Sequence, residues 1–247
     1  MSAFRKSNRL TGFSTGALEK GNYRKAIDWM GEHEVNTVEL SALRFDELEP
    51  LIKGLDGIHI EGFESVSFHA PSRFCVEKEK RVIELLQPVY ERGWNIVVHP
   101  DVIYHPDSWK HFGSQLLIEN MDRRKATGRT TEELKQWFER LPEARLCLDV
   151  AHARQLDTSM RLLGSIVHTF AERIAEIHIS ELDAHCRHHP LSSGSVEDYH
   201  SFAQFYPENV PVIIESMLDG ARSSLREEER HLAEDSVRAS KMFDKAY

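Results

Sequence analysis

The chain has 247 residues, 40% hydrophobic and 29% charged, with a formal net charge of −9. It is long enough for a sizeable core and too acidic for generic binding to nucleic acid or an anionic membrane. No apolar run approaches a membrane span, and the opening MSAFRKSNRL lacks a signal peptide's apolar stretch, so a cytoplasmic protein is expected. The three cysteines, Cys75, Cys147 and Cys186, do not suggest a disulfide framework. Histidine is the unusual residue, with 14 copies.

Short β-rich runs recur along the chain, each closing on a polar side chain. In order they are RLTGFSTG, NTVELSAL, SVSFHAPS, WNIVVHPD, QLLIENMD, RLCLDVAHA, AEIHISEL and VPVIIESM. Amphipathic segments lie between most of them. KRVIELLQPVYERG is helical in pattern, with Pro88 expected to kink it. TTEELKQWFERL sets Leu134, Trp137, Phe138 and Leu141 on one helical face, and Thr130 with Glu133 fits a capping box. MRLLGSIVHTFAERI repeats the apolar stripe, and SSLREEERHLAEDSVRASKMF reads as a long charged helix.

The polar residues that close these runs are Glu39, His69, His99, Glu119, Asp149, His178 and Glu215. Most are about 30 residues apart, the size of a strand–helix–strand unit. The step from His99 to Glu119 is only about 20, close to the minimum for a parallel crossover. The expected fold is α/β: one (β/α)₈ barrel over residues 1–247, with the helix after the fourth strand short or missing. Along each strand the apolar set suits the helix ring and the polar set faces inward. His69, His99, Glu119, Asp149, His178 and Glu215 are thus expected at the C-terminal mouth, with His152 turning back over it. Carboxylates and imidazoles crowded into one cavity are costly unless a cation joins them. Imidazole with carboxylate suits zinc, manganese or iron.

At these residues the sequence resembles the xylose-isomerase-like TIM-barrel superfamily, which includes endonuclease IV and the sugar isomerases and epimerases. FHAP, VVHP, LIEN, LDVAH, IHIS and IIES carry the resemblance to endonuclease IV. It implies one to three divalent metals per chain. His69, His99 and Glu119 would hold the first, and Glu119 would bridge to a second completed by Asp149, His178 and Glu215. His152 and His188 would belong to a third. CRHHPLSSG looks like a segment where that family has Asp-Arg-His-His, so Cys186 stands at an aspartate's place, as a thiolate ligand or as a lost one. TVEL, with Glu39, is closer to the sugar isomerase branch. There the resemblance implies one metal on Glu119, Asp149, His178 and Glu215, with Glu119 and Glu215 moving a proton and His69 and His99 meeting substrate.

Three readings follow. The leading one is multinuclear-metal hydrolysis of a phosphoester, with Glu119 and Glu215 placing the metals and His152 or His188 at the phosphate. The second is a single-metal isomerase or epimerase, and the third a barrel that only binds metal or ligand. Arginines follow most strands, among them Arg44, Arg73, Arg123, Arg124, Arg154, Arg187 and Arg222. Arg73, Arg123, Arg154 and Arg187, with Glu39, are candidate contacts for a small anionic substrate. The acidic balance and compact loops argue against a DNA duplex as substrate.

Overall fold

The computed structural model describes residues 9–33 and 35–238. Residues 239–243 of the expected closing helix, and most of the N-terminal stretch read above, lie outside the described residues. The described residues form a closed barrel of parallel strands in the order β1-β10-β7-β6-β5-β4-β3-β2. These are β1 (Thr11–Ser14), β2 (Thr37–Ser41), β3 (Ser65–His69), β4 (Asn95–Val98), β5 (Leu116–Glu119), β6 (Arg145–Asp149), β7 (Ile174–Ile179) and β10 (Val212–Ile214). β8 (Glu181–Leu182) and β9 (His188–His189) make a small antiparallel hairpin outside the barrel. Around the strands run α1 (Thr15–Glu19), α2 (Tyr23–Glu32), α3 (Phe45–Gly54), α4 (Glu79–Glu91), α5 (Thr131–Arg140), α6 (Val150–Leu156), α7 (Arg161–Phe170), α8 (Ser193–His200) and α9 (Ser223–Val237).

Alternation along the strands divides the core as expected. Ile96, Val98, Leu116, Ile118, Leu146, Leu148, Ile177 and Ile179 join the cluster shared with the helices. Val97, Leu117, Cys147 and Ala175 form a separate cluster inside the barrel. Each fully buried aliphatic side chain contributes roughly 1.5–3 kcal/mol. A bulge between Leu146 and Cys147 shifts the β6–β7 register, so Cys147 faces Glu176 and Asp149 faces His178.

The connection from β4 to β5 holds no α-helix but is not bare. Two 3₁₀ segments, Pro100–Val102 and Pro106–Gln115, fill it. The buried Glu79 carboxylate ties this crossover to α4. It accepts from Tyr104 N at 2.7 Å, His105 N at 3.0 Å and Trp109 Nε1 at 2.9 Å. α4 itself continues through Pro88 to Glu91. At α5 half of the expected capping box forms. Thr130 Oγ1 accepts from Glu133 N at 3.2 Å, but the Glu133 carboxylate takes Arg129 N at 2.7 Å, one residue earlier than the motif requires. Gly128, with φ at +81°, closes the loop after β5, where Met121 N donates to its carbonyl at 2.9 Å. That loop carries Asp122 and Arg124 to the barrel mouth. Among the described residues no helix is long and apolar enough to cross a membrane.

Candidate metal centre

Six of the eight barrel strands deliver one donor each at or beside their C-terminal end. His69 ends β3, Glu119 ends β5, Asp149 ends β6, His178 lies on β7, and His99 and Glu215 directly follow β4 and β10. Among the described residues two donor groups lie at the mouth, each with its ligand atoms within 4.8 Å of one another. One is His69, His99 and Glu119; the other is Glu119, Asp149, His178 and Glu215. Glu119 belongs to both. Its Oε2 lies 3.3 Å from His69 Nε2 and 3.0 Å from His99 Nε2. Its Oε1 lies 3.3 Å from His152 Nδ1 and 3.8 Å from His178 Nδ1. One carboxylate therefore turns a different oxygen to each side.

Backbone groups fix the donors. His69 Nδ1 donates to the carbonyl of Ala70 at 2.7 Å, which leaves Nε2 for the centre. Asp149 caps α6: its Oδ1 accepts from His152 N at 2.7 Å. Asn120 then clamps Asp149 from both ends. Its Oδ1 accepts from Asp149 N and its Nδ2 donates to Asp149 O, each at 2.8 Å. The carbonyl of Asn120 accepts from His152 Nδ1 at 2.8 Å, which orients that ring as well. The signal for Asn120 was present in LIEN, where an amide follows the glutamate at a strand end.

Several buried atoms in this group lack a hydrogen-bond partner, namely Asp149 Oδ2, His178 Nδ1 and His99 Nδ1. Buried polar atoms are normally satisfied, and an orphan carboxylate oxygen is costly. Two of the three belong to the second donor group, so a cation held there removes the deficit. The donor set of imidazoles and carboxylates fits a divalent metal such as zinc, manganese or iron.

Burial and close charges shift the groups of the site in opposing directions. Burial alone would lower the His69 pKa, but Glu39 and Glu119 raise it to about 9. Burial, then Glu119 and Glu215, push Asp149 up to about 7 against the pull of His152 and His178. Burial opposes ionisation of Glu119, yet His99, His178 and His69 hold it well below the ordinary carboxylate range. Glu215 is likewise depressed, by His178 and His188 against burial. Burial lowers His99 and His188. Protons on some imidazoles thus supply the positive charge a metal would bring.

A cavity of about 200 Å³ opens above the donors. His69, His99, Glu119, His152, His188 and Glu215 line it, with Ser14, Ser72, Asp122 and Arg124 at its sides and Leu43 and Met217 at its rim. Asp149 and His178, both 0% exposed, lie just beneath.

Not every predicted residue arrives. Cys186 is buried and joins neither mouth group; Gln155 Nε2 donates to its Sγ at 2.8 Å. No third donor group forms from His152 and His188 among the described residues, although their rings lie 5.9 Å apart. His188 Nδ1 pairs instead with Ser180 Oγ at 2.9 Å. Glu39 is fully buried behind His178 and has no face on the cavity. Arg73, Arg123, Arg154 and Arg187 do not line the cavity either. Arg73 is exposed. Arg123 reaches the carbonyl of Ala184, and Arg154 is held by Asp198 at 2.6 Å and Glu181 at 3.5 Å. Arg187 folds onto Asp183 at 2.7 Å. Long cationic side chains took the nearest carboxylate or carbonyl, which strand spacing does not reveal. Among the described residues Arg124 is the arginine that lines the cavity, where its guanidinium binds Asp122.

No family model matches the chain, and no curated protein is similar in sequence. Solved structures of the same fold are nevertheless clear. The xylose isomerase domain protein from Alicyclobacillus acidocaldarius matches with a TM-score of 0.61 at 13% identity, covering 92% of this chain and 97% of that one. The apo 3-keto-D-glucoside 4-epimerase YcjR from E. coli matches at 0.60 with 14% identity, over 91% and 97%. Endonuclease IV from Thermus thermophilus matches at 0.58 with 17% identity, over 91% and 99%. The chain therefore shares the TIM-barrel fold of these proteins.

Proposed function

We propose that the chain is a metal-dependent enzyme with two adjacent metal sites that share Glu119, and that it hydrolyses a phosphoester of a small molecule. The observation that carries this reading is the split of Glu119, with Oε2 toward His69 and His99 and Oε1 toward the second donor group. His69, His99 and Glu119 would hold one ion, and Glu119, Asp149, His178 and Glu215 the other. When bound, such a pair supplies an acidified water and neutralises charge on a phosphoryl group. The single-metal isomerase reading needs His69 and His99 free for substrate and Glu119 free to move a proton. Both imidazoles instead converge on one oxygen of Glu119, which leaves it poorly placed as a base.

The remaining residues have roles around the substrate. His152 donates through Nδ1 to Asn120, so its Nε2, 3.8 Å from Asp122 Oδ2, is the nitrogen that would give a proton to a leaving oxygen. Ser14 and Arg124 offer donors to phosphoryl oxygens at the cavity wall, whereas the Ser72 hydroxyl donates to Leu43 O at 3.2 Å. The cavity volume of about 200 Å³ and the net charge of −9 favour a small anion over a nucleic-acid duplex. The shared fold of an epimerase and an endonuclease supports enzymatic use of the mouth.

The test is an assay of zinc- or manganese-loaded protein against small phosphomonoesters and phosphodiesters, run beside solvent-deuterium exchange on sugar phosphates. Phosphoester cleavage that a chelator abolishes and metal restores is expected. Deuterium incorporation without any cleavage would replace this reading with the isomerase one.

A further inference from the structure

A second polar set lies inside the barrel, directly below the donors, and the proposed reaction does not use it. Glu39 on β2 and Glu176 on β7 are both 0% exposed. Each brings a carboxylate oxygen to 3.1 Å from Nε2 of His178. Glu176 Oε1 makes the hydrogen bond. Glu39 Oε2, at the same distance, makes none, while its Oε1 accepts from Ser41 Oγ at 3.2 Å.

An imidazole nitrogen carries at most one hydrogen, and a carboxylate partner draws that hydrogen to the nitrogen it faces. Two carboxylates on Nε2 place it there and leave the lone pair on Nδ1. That atom points to the mouth, 3.5 Å from Glu215 Oε1, without a hydrogen-bond partner of its own. His178 is thus reversed relative to its neighbours. His69 and His152 each donate from Nδ1 to a backbone carbonyl and present Nε2.

We propose that Glu176 and Glu39 are positioning residues that lock His178 in its Nε2–H tautomer and aim Nδ1 at the second metal site. Glu176 acts as the hydrogen-bond acceptor, and Glu39 brings a second carboxylate oxygen to the same distance behind the ring. Charge on the far side of an imidazole makes it a stronger ligand, and losing such support typically weakens metal binding about 10–100-fold. The inference rests on the metal centre proposed above, because the tautomer matters only if Nδ1 binds an ion.

The experiment uses the full chain loaded with zinc and labelled with nitrogen-15 at histidine. The ring correlations of His178 should show hydrogen on Nε2 and metal on Nδ1, and those of His69 the reverse. Zinc affinity of the Glu39→Gln, Glu176→Gln double variant should fall about 10–100-fold. Its melting temperature without zinc should hold, because glutamine keeps the shape of each side chain and the Oε1 that accepts from Ser41 or His178. A solely structural role would lower the melting temperature and leave zinc affinity and the His178 pattern unchanged, which overturns the inference. So does zinc bound through Nε2 of His178. Failure to bind zinc at all removes both this inference and the metal reading, and is told apart by the metal count.

Discussion

Glu119 and Asp183 each gather several nitrogen donors, but from very different distances along the chain. Glu119 meets His69, His99, His152 and His178, which come from separate strand ends and a helix. Asp183 meets only its own hairpin: His185 N at 2.7 Å, Arg187 N at 3.0 Å, Arg187 Nε at 2.8 Å and His189 Nε2 at 3.2 Å. The first carboxylate is 1% exposed at its side chain, and the second 23%. Barrel register assembles the one, and local turn geometry the other. The rim is therefore a place where charges from the whole chain are forced together, while the Asp183 carboxylate is satisfied within its hairpin. Between the two, the rim is the one left with unpartnered ligand atoms among the described residues, Asp149 Oδ2, His178 Nδ1 and His99 Nδ1.

The comparison breaks most readily at Glu119. Replacing it with alanine removes the ligand common to both groups. Metal content should fall from two ions per chain to one or none, and phosphoester cleavage by at least about 10³-fold, or about 4 kcal/mol of lost stabilisation. Elemental analysis and initial rates check this; an unchanged metal count contradicts it.

A smaller effect is expected behind the rim. Asn120→Ala deletes both clamps on Asp149 and should weaken metal binding about 10–100-fold. Titration calorimetry reads it directly, and wild-type affinity in the variant would show that Asp149 needs no clamp.

Acidity separates the metal-free and metal-loaded chains. His69 has a folded pKa of about 9 against an ordinary 6.5, so its stabilising share is full below 6.5 and lost as pH rises through 9. Asp149, raised from 3.8 to about 7, likewise makes the metal-free chain less stable as pH climbs across that range. Metal binding needs His69 neutral and Asp149 ionised, so affinity should rise with pH from about 6 to about 9 with proton release. Calorimetry in buffers of different ionisation enthalpy measures those protons; binding without release would refute the charge state drawn here.

The least effect belongs to the hairpin. Cys186→Ser should leave the metal count unchanged and alter stability by no more than about 1 kcal/mol, as read by denaturant melts. Asp183→Ala should speed amide exchange across residues 183–189 and leave metal binding intact. A lost metal ion in either variant would move the hairpin into the centre.

The same division explains what the sequence reveals. His69, His99, Glu119, Asp149, His178 and Glu215 were legible because strand alternation and a period of about 30 residues are long-range rules with few exceptions. Cys186 was not, because its orientation follows from a left-handed backbone, φ +58°, and from the amide of Gln155. The arginines are hard to place for a related reason: a flexible side chain pairs with whatever acid lies within reach, as Arg154 does with Asp198. Glu176 was overlooked although its clue was plain, a glutamate two residues before His178 on the same inward face of a buried strand. The crossover after β4 was read as thin from its length, but length does not disclose the Glu79 tie that keeps its 3₁₀ turns in place.

The central claim is a shared carboxylate between two ions. Crystals soaked in manganese or zinc and measured at the metal absorption edge test it most directly. Two anomalous peaks about 3.5–4 Å apart, one on each oxygen of Glu119, are predicted. A single peak on Asp149, His178 and Glu215, with His69 and His99 free of metal, would contradict it.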